Sequence, residues 1–221
     1  MENNFLFTVL PINNVDATLV GREEEIEKIK AALDRYQNIS IIGDAKIGKS
    51  SILKSLEEII KSDEKYKNFI PVYIDLEKFS YNLQTDKLLE KILKSIYNQH
   101  AEIREEHSNY EYSKHDEFSE VVEYCNYNKL TILLLLDNFD NITVLNNLSE
   151  DFFSFLRGNA IEKGLSIITA SRSKLETLCH KGKIAGSQFW NIFNPIITLS
   201  LFEDNDSAKN LLSYGIKDEY M

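Results

Sequence analysis

Asn38-Ile-Ser-Ile-Ile-Gly43-Asp44-Ala45-Lys46-Ile47-Gly48-Lys49-Ser50-Ser51-Ile-Leu53 is the stretch on which the fold turns. Asn38 to Gly43 is a short β-branched run closed by glycine, and it reads as a buried strand. Ile52, Leu53, Leu56, Ile59 and Ile60 then recur at three- and four-residue steps, the spacing of a helix with one buried face. Between them, Gly43 to Ser50 fits G-x-x-x-x-G-K-[ST] at every fixed position, in the strand–loop–helix setting that the motif requires. Gly43 and Gly48 let the backbone wrap with successive N–H groups turned inward, a nest for an anion. The helix N-terminus behind the loop adds its partial positive charge. In such a loop Lys49 reaches the β- and γ-phosphates, and the Ser50 hydroxyl is a ligand for Mg²⁺. Residues Gly43 to Ser51 are therefore the candidate nucleotide-binding loop. Lys46 is not a fixed position of the motif; it adds phosphate attraction or is a solvated loop lysine.

Working outward, four more strands are expected: Pro71 to Asp75, Leu130 to Leu136, Leu165 to Thr169 and Pro195 to Leu199. Pro71 is expected to open its strand, where no ladder donor is lost. Helical spacing is carried by Ile26, Ile29, Leu33 and Tyr36, by Leu88, Leu89, Ile92, Leu93 and Ile96, and by Phe118, Val121, Val122 and Cys125. Phe152, Phe153 and Leu156, then Leu175 and Leu178, and finally Ala208, Leu211 and Leu212 suggest three further helices. Strands that alternate with helices need crossover connections, hence an α/β domain with a mostly parallel sheet covered on both faces. The expected organisation is an arm over 1–14, one nucleotide-binding domain over 15–203, and the start of a helical lid over 204–221.

Composition narrows the function. The chain has 221 residues, 43% hydrophobic and 27% charged, which is globular usage. Its 25 Lys and Arg against 35 Asp and Glu leave a net charge of −10, which argues against duplex nucleic acid as a direct partner. The longest apolar run, Leu130 to Leu136 with one Thr, is far short of the roughly 20 residues that span a bilayer. Cys125 and Cys179 lack a paired-ligand spacing, and no secretory leader pattern opens the chain. A cytoplasmic protein with no membrane partner is expected. His100, His107 and His115 lie in an acid-rich stretch that reads as a solvated helix face, with a metal site as the alternative.

A second site follows from Leu130-Thr-Ile-Leu-Leu-Leu-Leu-Asp137. An apolar strand that ends in an acid, after a phosphate-binding loop, offers a carboxylate that holds Mg²⁺. The plainer reading of Asp137 is a turn or cap residue. Many P-loop ATPases place Glu next, to orient the attacking water; this chain has Asn138. An amide can hold water but cannot take its proton, and loss of a general base typically costs about 10²- to 10⁴-fold. Asp140 is the nearest substitute carboxylate in sequence, or else a cap.

These blocks together resemble the nucleotide-binding domain of STAND-class P-loop ATPases. They are AAA+-like signalling switches that include NB-ARC domains, with origin-recognition-like ATPases as further relatives. Leu19-Val20-Gly21-Arg22-Glu23 resembles the family's hhGRExE opening, and Lys49-Ser-Ser-Ile-Leu its GKSSLL. Leu133 to Asp140 is similar to its hhhhDxxD block, and Ile167-Ile-Thr-Ala-Ser-Arg172 to its sensor strand. Phe189-Trp-Asn-Ile-Phe193 and the residues after it resemble the link into the lid.

The resemblance implies a five-stranded parallel sheet in the order 5-1-4-3-2, with ATP or ADP and Mg²⁺ as cofactors. It implies that Val20, Gly21 and Arg22 contact the base or ribose and that Arg172 senses the γ-phosphate. From the residues alone, the alternative for Gly21-Arg22 is a simple helix start, and for Arg172 a surface ion pair. The family continues into a winged helix, whereas this sequence stops at Met221, as a fragment or as a short form that borrows its lid. A slow ATPase switch is the expected function, with a protein partner or self-assembly through the missing C-terminal region. A non-hydrolysing scaffold and a replication-initiator-like ATPase are the alternatives.

Overall fold

The computed structural model describes residues 21–79, 83–107, 113–143, 148–162, 164–181 and 184–201. The expected arm, Leu19, Val20 and the expected lid helix over Ala208, Leu211 and Leu212 lie outside these residues. Glu23–Leu33 forms α1, Asn38–Gly43 β1, Lys49–Ser62 α2 and Phe69–Asp75 β2. Three helices follow, α3 (Thr85–Gln99), α4 (Ala101–His107) and α5 (Lys114–Tyr127), before β3 (Thr131–Asp137). Then come α6 (Glu150–Glu162), β4 (Ser166–Ser171), α7 (Leu175–Lys181) and β5 (Phe193–Leu199). The five strands pair in parallel in the order β2-β3-β4-β1-β5. Read from the other edge, this is the order that the resemblance implies.

Alternation along β3 shows how the layers form. Ile132, Leu134 and Leu136 face one core with α3, α5, α6 and α7, while Leu133 and Leu135 face the other with α1 and α2. Every residue of β1, β3 and β4 is buried, as a central strand covered on both faces must be. The C-terminal ends of β1, β3 and β4 therefore meet at one rim, where open α/β sheets bind their ligands.

Several expectations shift. The second strand starts at Phe69, so Pro71 lies inside it. The strand tolerates it because β2 is an edge, and the Pro71 carbonyl faces outward to accept from Gln99 Nε2 at 3.0 Å. Helix α1 stops at Leu33, and Tyr36, expected on its buried face, turns out with φ 54° and is 55% exposed. There its ring stacks on Phe69 with centroids 5.4 Å apart. The acid-rich stretch is not solvated throughout. Glu117 is 4% exposed, accepts from Tyr97 Oη at 2.7 Å and pairs with Lys114, while His107 is buried edge-on against Tyr124. Among the described residues no helix is long and apolar enough to cross a membrane, and no cluster of three His, Cys, Asp or Glu side chains could hold a metal.

Candidate functional site

Gly43 ends β1 and the loop to α2 wraps tightly behind it. A Cβ on Gly43 would lie 2.9 Å from Ile47 Cγ2 and 3.0 Å from the Leu199 carbonyl, so only glycine fits. Gly48 precedes α2 with φ 103°, a backbone that side chains rarely adopt, and its carbonyl accepts the first helical bond from Ile52 N at 3.0 Å. Asp44, Ala45 and Lys46 are exposed at the crest; Ile47, Gly48, Lys49 and Ser50 are half-buried, and Ser51 is buried against the core. Lys46 has φ 63°, part of the same tight wrap.

Lys49 Nζ donates to the carbonyls of Gly43 and Asp44, both at 2.7 Å, which draws the ammonium across the mouth of the loop. Burial holds its pKa below the ordinary lysine value. Asp140 opposes this most strongly, Arg172 adds to it, and Asp137 and Asp44 oppose it further. So the fold brings Asp137, Asp140 and Arg172, from the ends of two strands far apart in sequence from the loop, within electrostatic reach of Lys49.

Asp137 is the last residue of β3 and 1% exposed. Its Oδ1 accepts the Asn138 backbone N–H at 2.9 Å, and its Oδ2 accepts the Tyr73 hydroxyl at 2.6 Å. Asn138 takes φ 52°, and its Nδ2 donates to Asp75 Oδ1 at 2.8 Å. Phe139 is fully buried between Phe153 and Phe189, at centroid distances of 6.1 and 5.8 Å, and so anchors the turn that carries the two acids. Both oxygens of Asp140 accept the Arg172 N–H, at 3.1 and 2.8 Å, which ties that turn to the end of β4. The Arg172 side chain is exposed.

Arg22 points inward and is 5% exposed. Its guanidinium donates to the Ser200 carbonyl at 2.7 Å and the Ile47 carbonyl at 3.4 Å, and pairs with Glu25 at 3.1 Å. It thus holds the loop to the end of β5 and the start of α1. Gly21 turns with φ 70° and donates its N–H to Glu23 Oε1 at 3.0 Å. Val20 lies outside the described residues.

Tyr73 and Asp75 are site residues that the sequence reading missed. They alternate on one face of β2, and Asp75 is in register with Asp137. The sheet order that the resemblance implies puts β2 beside β3, but the register that sets Asp75 against Asp137 is not written in either strand alone. Burial first, then the bond to Asp137, raises the Tyr73 phenol well above its ordinary pKa, so it stays a donor. The donor set suits a nucleoside polyphosphate with a hard cation: a glycine loop, one lysine, the Ser50 hydroxyl and a buried carboxylate. A groove of about 630 Å³ between α1 and β5 has none of these residues in its lining.

A sequence profile described as Novel STAND NTPase 2 matches residues 87–220, more than half of the chain. The match begins within α3, so the loop at Gly43–Ser51 stands on its own residues and geometry. Among solved structures, the Walker-type ATPase of Pyrococcus abyssi is similar over 95% of this chain and 61% of its own, at 16% identity and TM-score 0.66. The ORC1 protein of Aeropyrum pernix, solved in complex with DNA, is similar over 95% and 52%, at 12% identity and TM-score 0.61. Domain III of the Thermotoga maritima replication initiation protein DnaA is similar over 94% and 74%, at 15% identity and TM-score 0.55. These likenesses show the fold. The chain spans about three-fifths of the Pyrococcus abyssi ATPase and half of ORC1. No match was found among curated proteins.

Proposed function

The chain belongs to the Novel STAND NTPase 2 family, and from that premise we propose that it binds Mg-ATP at Gly43–Ser51 and hydrolyses it slowly, as a conformational or assembly switch. The observation that carries the proposal is Lys49, held by two carbonyls at 2.7 Å with Asp137, Asp140 and Arg172 gathered round it. An ammonium has three donors, so one remains for a phosphate oxygen. The loop N–H groups and the start of α2 cradle the β-phosphate. Ser50 and Asp137 would hold the Mg²⁺, which would supply neutralisation of the phosphate charge.

Asn138 orients the attacking water, and Asp140 accepts its proton. The water oxygen bonds to the γ-phosphorus while the bond to the bridging oxygen breaks, and ADP leaves with that electron pair. Arg172 would sense the γ-phosphate, and its backbone N–H on Asp140 would couple the sensing strand to the acid. Loss of the γ-phosphate would release these contacts, which is how nucleotide state is passed on. Arg22 and Gly21 would shape the base side of the site from beneath, with Val20 at the base. The protein partner, or a second copy, would be engaged through the C-terminal region, and this segment itself would not contact nucleic acid.

One observation favours a non-hydrolysing scaffold as second reading: the Asn138 amide is already committed to Asp75. Single-turnover release of labelled phosphate from Mg-ATP separates the two. Slow, Mg²⁺-dependent release is expected. Saturable binding with no release over hours would leave the scaffold, and no binding would end both readings.

A further inference from the structure

Asp137 is 1% exposed, and a buried carboxyl group needs hydrogen-bond partners on both oxygens. One donor is the N–H of Asn138, which any residue at 138 other than proline would supply. The other is the Tyr73 hydroxyl, 2.6 Å from Oδ2, which depends on the side chain at 73. The Tyr73 ring packs with the core cluster that contains Ile52, Leu53 and Leu56 of α2. Lys54 Nζ of the same helix lies 5.9 Å from the ring centroid. Tyr73 is thus wedged between the helix whose first turn carries Ser50 and the strand that ends in Asp137, the two protein groups proposed to hold the metal.

We infer that Tyr73 is a positioning residue for the metal site, a phenol on the neighbouring strand that fixes the Asp137 carboxylate and so sets the Mg²⁺ dependence of nucleotide binding. The inference rests on the proposed reading of Gly43–Ser51 and Asp137. Groups one shell out from a ligand orient it, and their loss typically weakens metal affinity about 10- to 100-fold. Tyr73→Phe keeps the ring and its packing and removes only the hydroxyl. Without that donor Asp137 Oδ2 loses its fixed direction, whereas the loop, Lys49 and α2 are untouched.

The test is a titration of a fluorescent ATP analogue into the full chain, first in EDTA and then at rising Mg²⁺, for wild type, Tyr73→Phe, Asp137→Asn and the double variant. The expected result is unchanged affinity in EDTA for Tyr73→Phe, with half-maximal Mg²⁺ raised about tenfold or more. In the Asp137→Asn background, Tyr73→Phe should then add little. An unchanged Mg²⁺ requirement would overturn the inference. So would an equal loss in EDTA, which marks a packing role, or a full effect that persists without the Asp137 carboxylate. Wild type that fails to bind the analogue under either condition would instead sink the nucleotide-site reading itself.

Discussion

Arg22→Ala removes a buried guanidinium that joins three parts of the chain. The side chain is 6% exposed, and among the described residues its guanidinium bonds to the Ser200 carbonyl at 2.7 Å and, at a longer 3.4 Å, to that of Ile47. Its ion pair with Glu25 at 3.1 Å is mostly shielded from solvent. A hydrogen bond to a charged donor is worth about 1.5–3 kcal/mol, and the 3.4 Å contact adds little. With the Glu25 carboxylate left half-paired, the loss comes to about 3 kcal/mol. For a domain of this size that lowers Tm by roughly 6–12 °C.

Arg22→Lys should recover part of this, since one ammonium reaches a carbonyl but cannot fork across all three acceptors. Thermal unfolding followed by circular dichroism, with no nucleotide added, reads the effect. A nucleotide-free Tm equal to wild type, with only nucleotide affinity reduced, would refute the clamp.

Two other outcomes are expected. Asn138→Glu alone places a second acid at the 2.8 Å contact with Asp75 and should lower Tm, whereas Asn138→Glu with Asp75→Asn restores a donor–acceptor pair with a proton acceptor on the site side. The double variant should raise single-turnover hydrolysis at least about tenfold; an unchanged rate would show that position 138 does not limit the reaction. Burial pushes the Cys125 thiol up to about 12 and Cys179 up to about 11. Both sit above the unfolded value, so the folded state keeps protons that the unfolded state releases. The stability this contributes is complete below about pH 9 and is lost as pH rises through 11 to 12. Denaturant titrations at pH 8 and 10 should show the decline, and at pH 8 a thiol reagent should label neither cysteine until the chain is unfolded. Rapid labelling of the native protein would contradict this.

Much of the fold was legible because its strands are short β-branched runs set between helices with one apolar face. Strand ends were less so. Leu165 to Thr169 became Ser166–Ser171, since Ala170 and Ser171 carry no hydrophobic signal yet pair with Ile41 and Ile42. Tyr36 looked helical by spacing, but the chain had already turned, with Gln37 N bonded back to Ala32 O at 3.0 Å. At the site, Lys49, Asp137, Asp140 and Arg172 were legible as motif positions, and their convergence came from sheet order. Tyr73 and Asp75 belong to no fixed motif position, and only the pairing of β2 with β3 brings them to Asp137 and Asn138. Arg22 is legible as a motif position because the pattern around it is local, whereas the Ser200 carbonyl that it grips is 178 residues away.

The central claim is that Gly43–Ser51 binds a nucleoside triphosphate through Lys49. Calorimetric titration of Mg-ATP into wild type and Lys49→Ala, each checked for an unchanged circular dichroism spectrum, tests it most directly. Saturable binding to wild type and none to the folded Lys49→Ala variant is the predicted result. Equal binding by both would contradict the account.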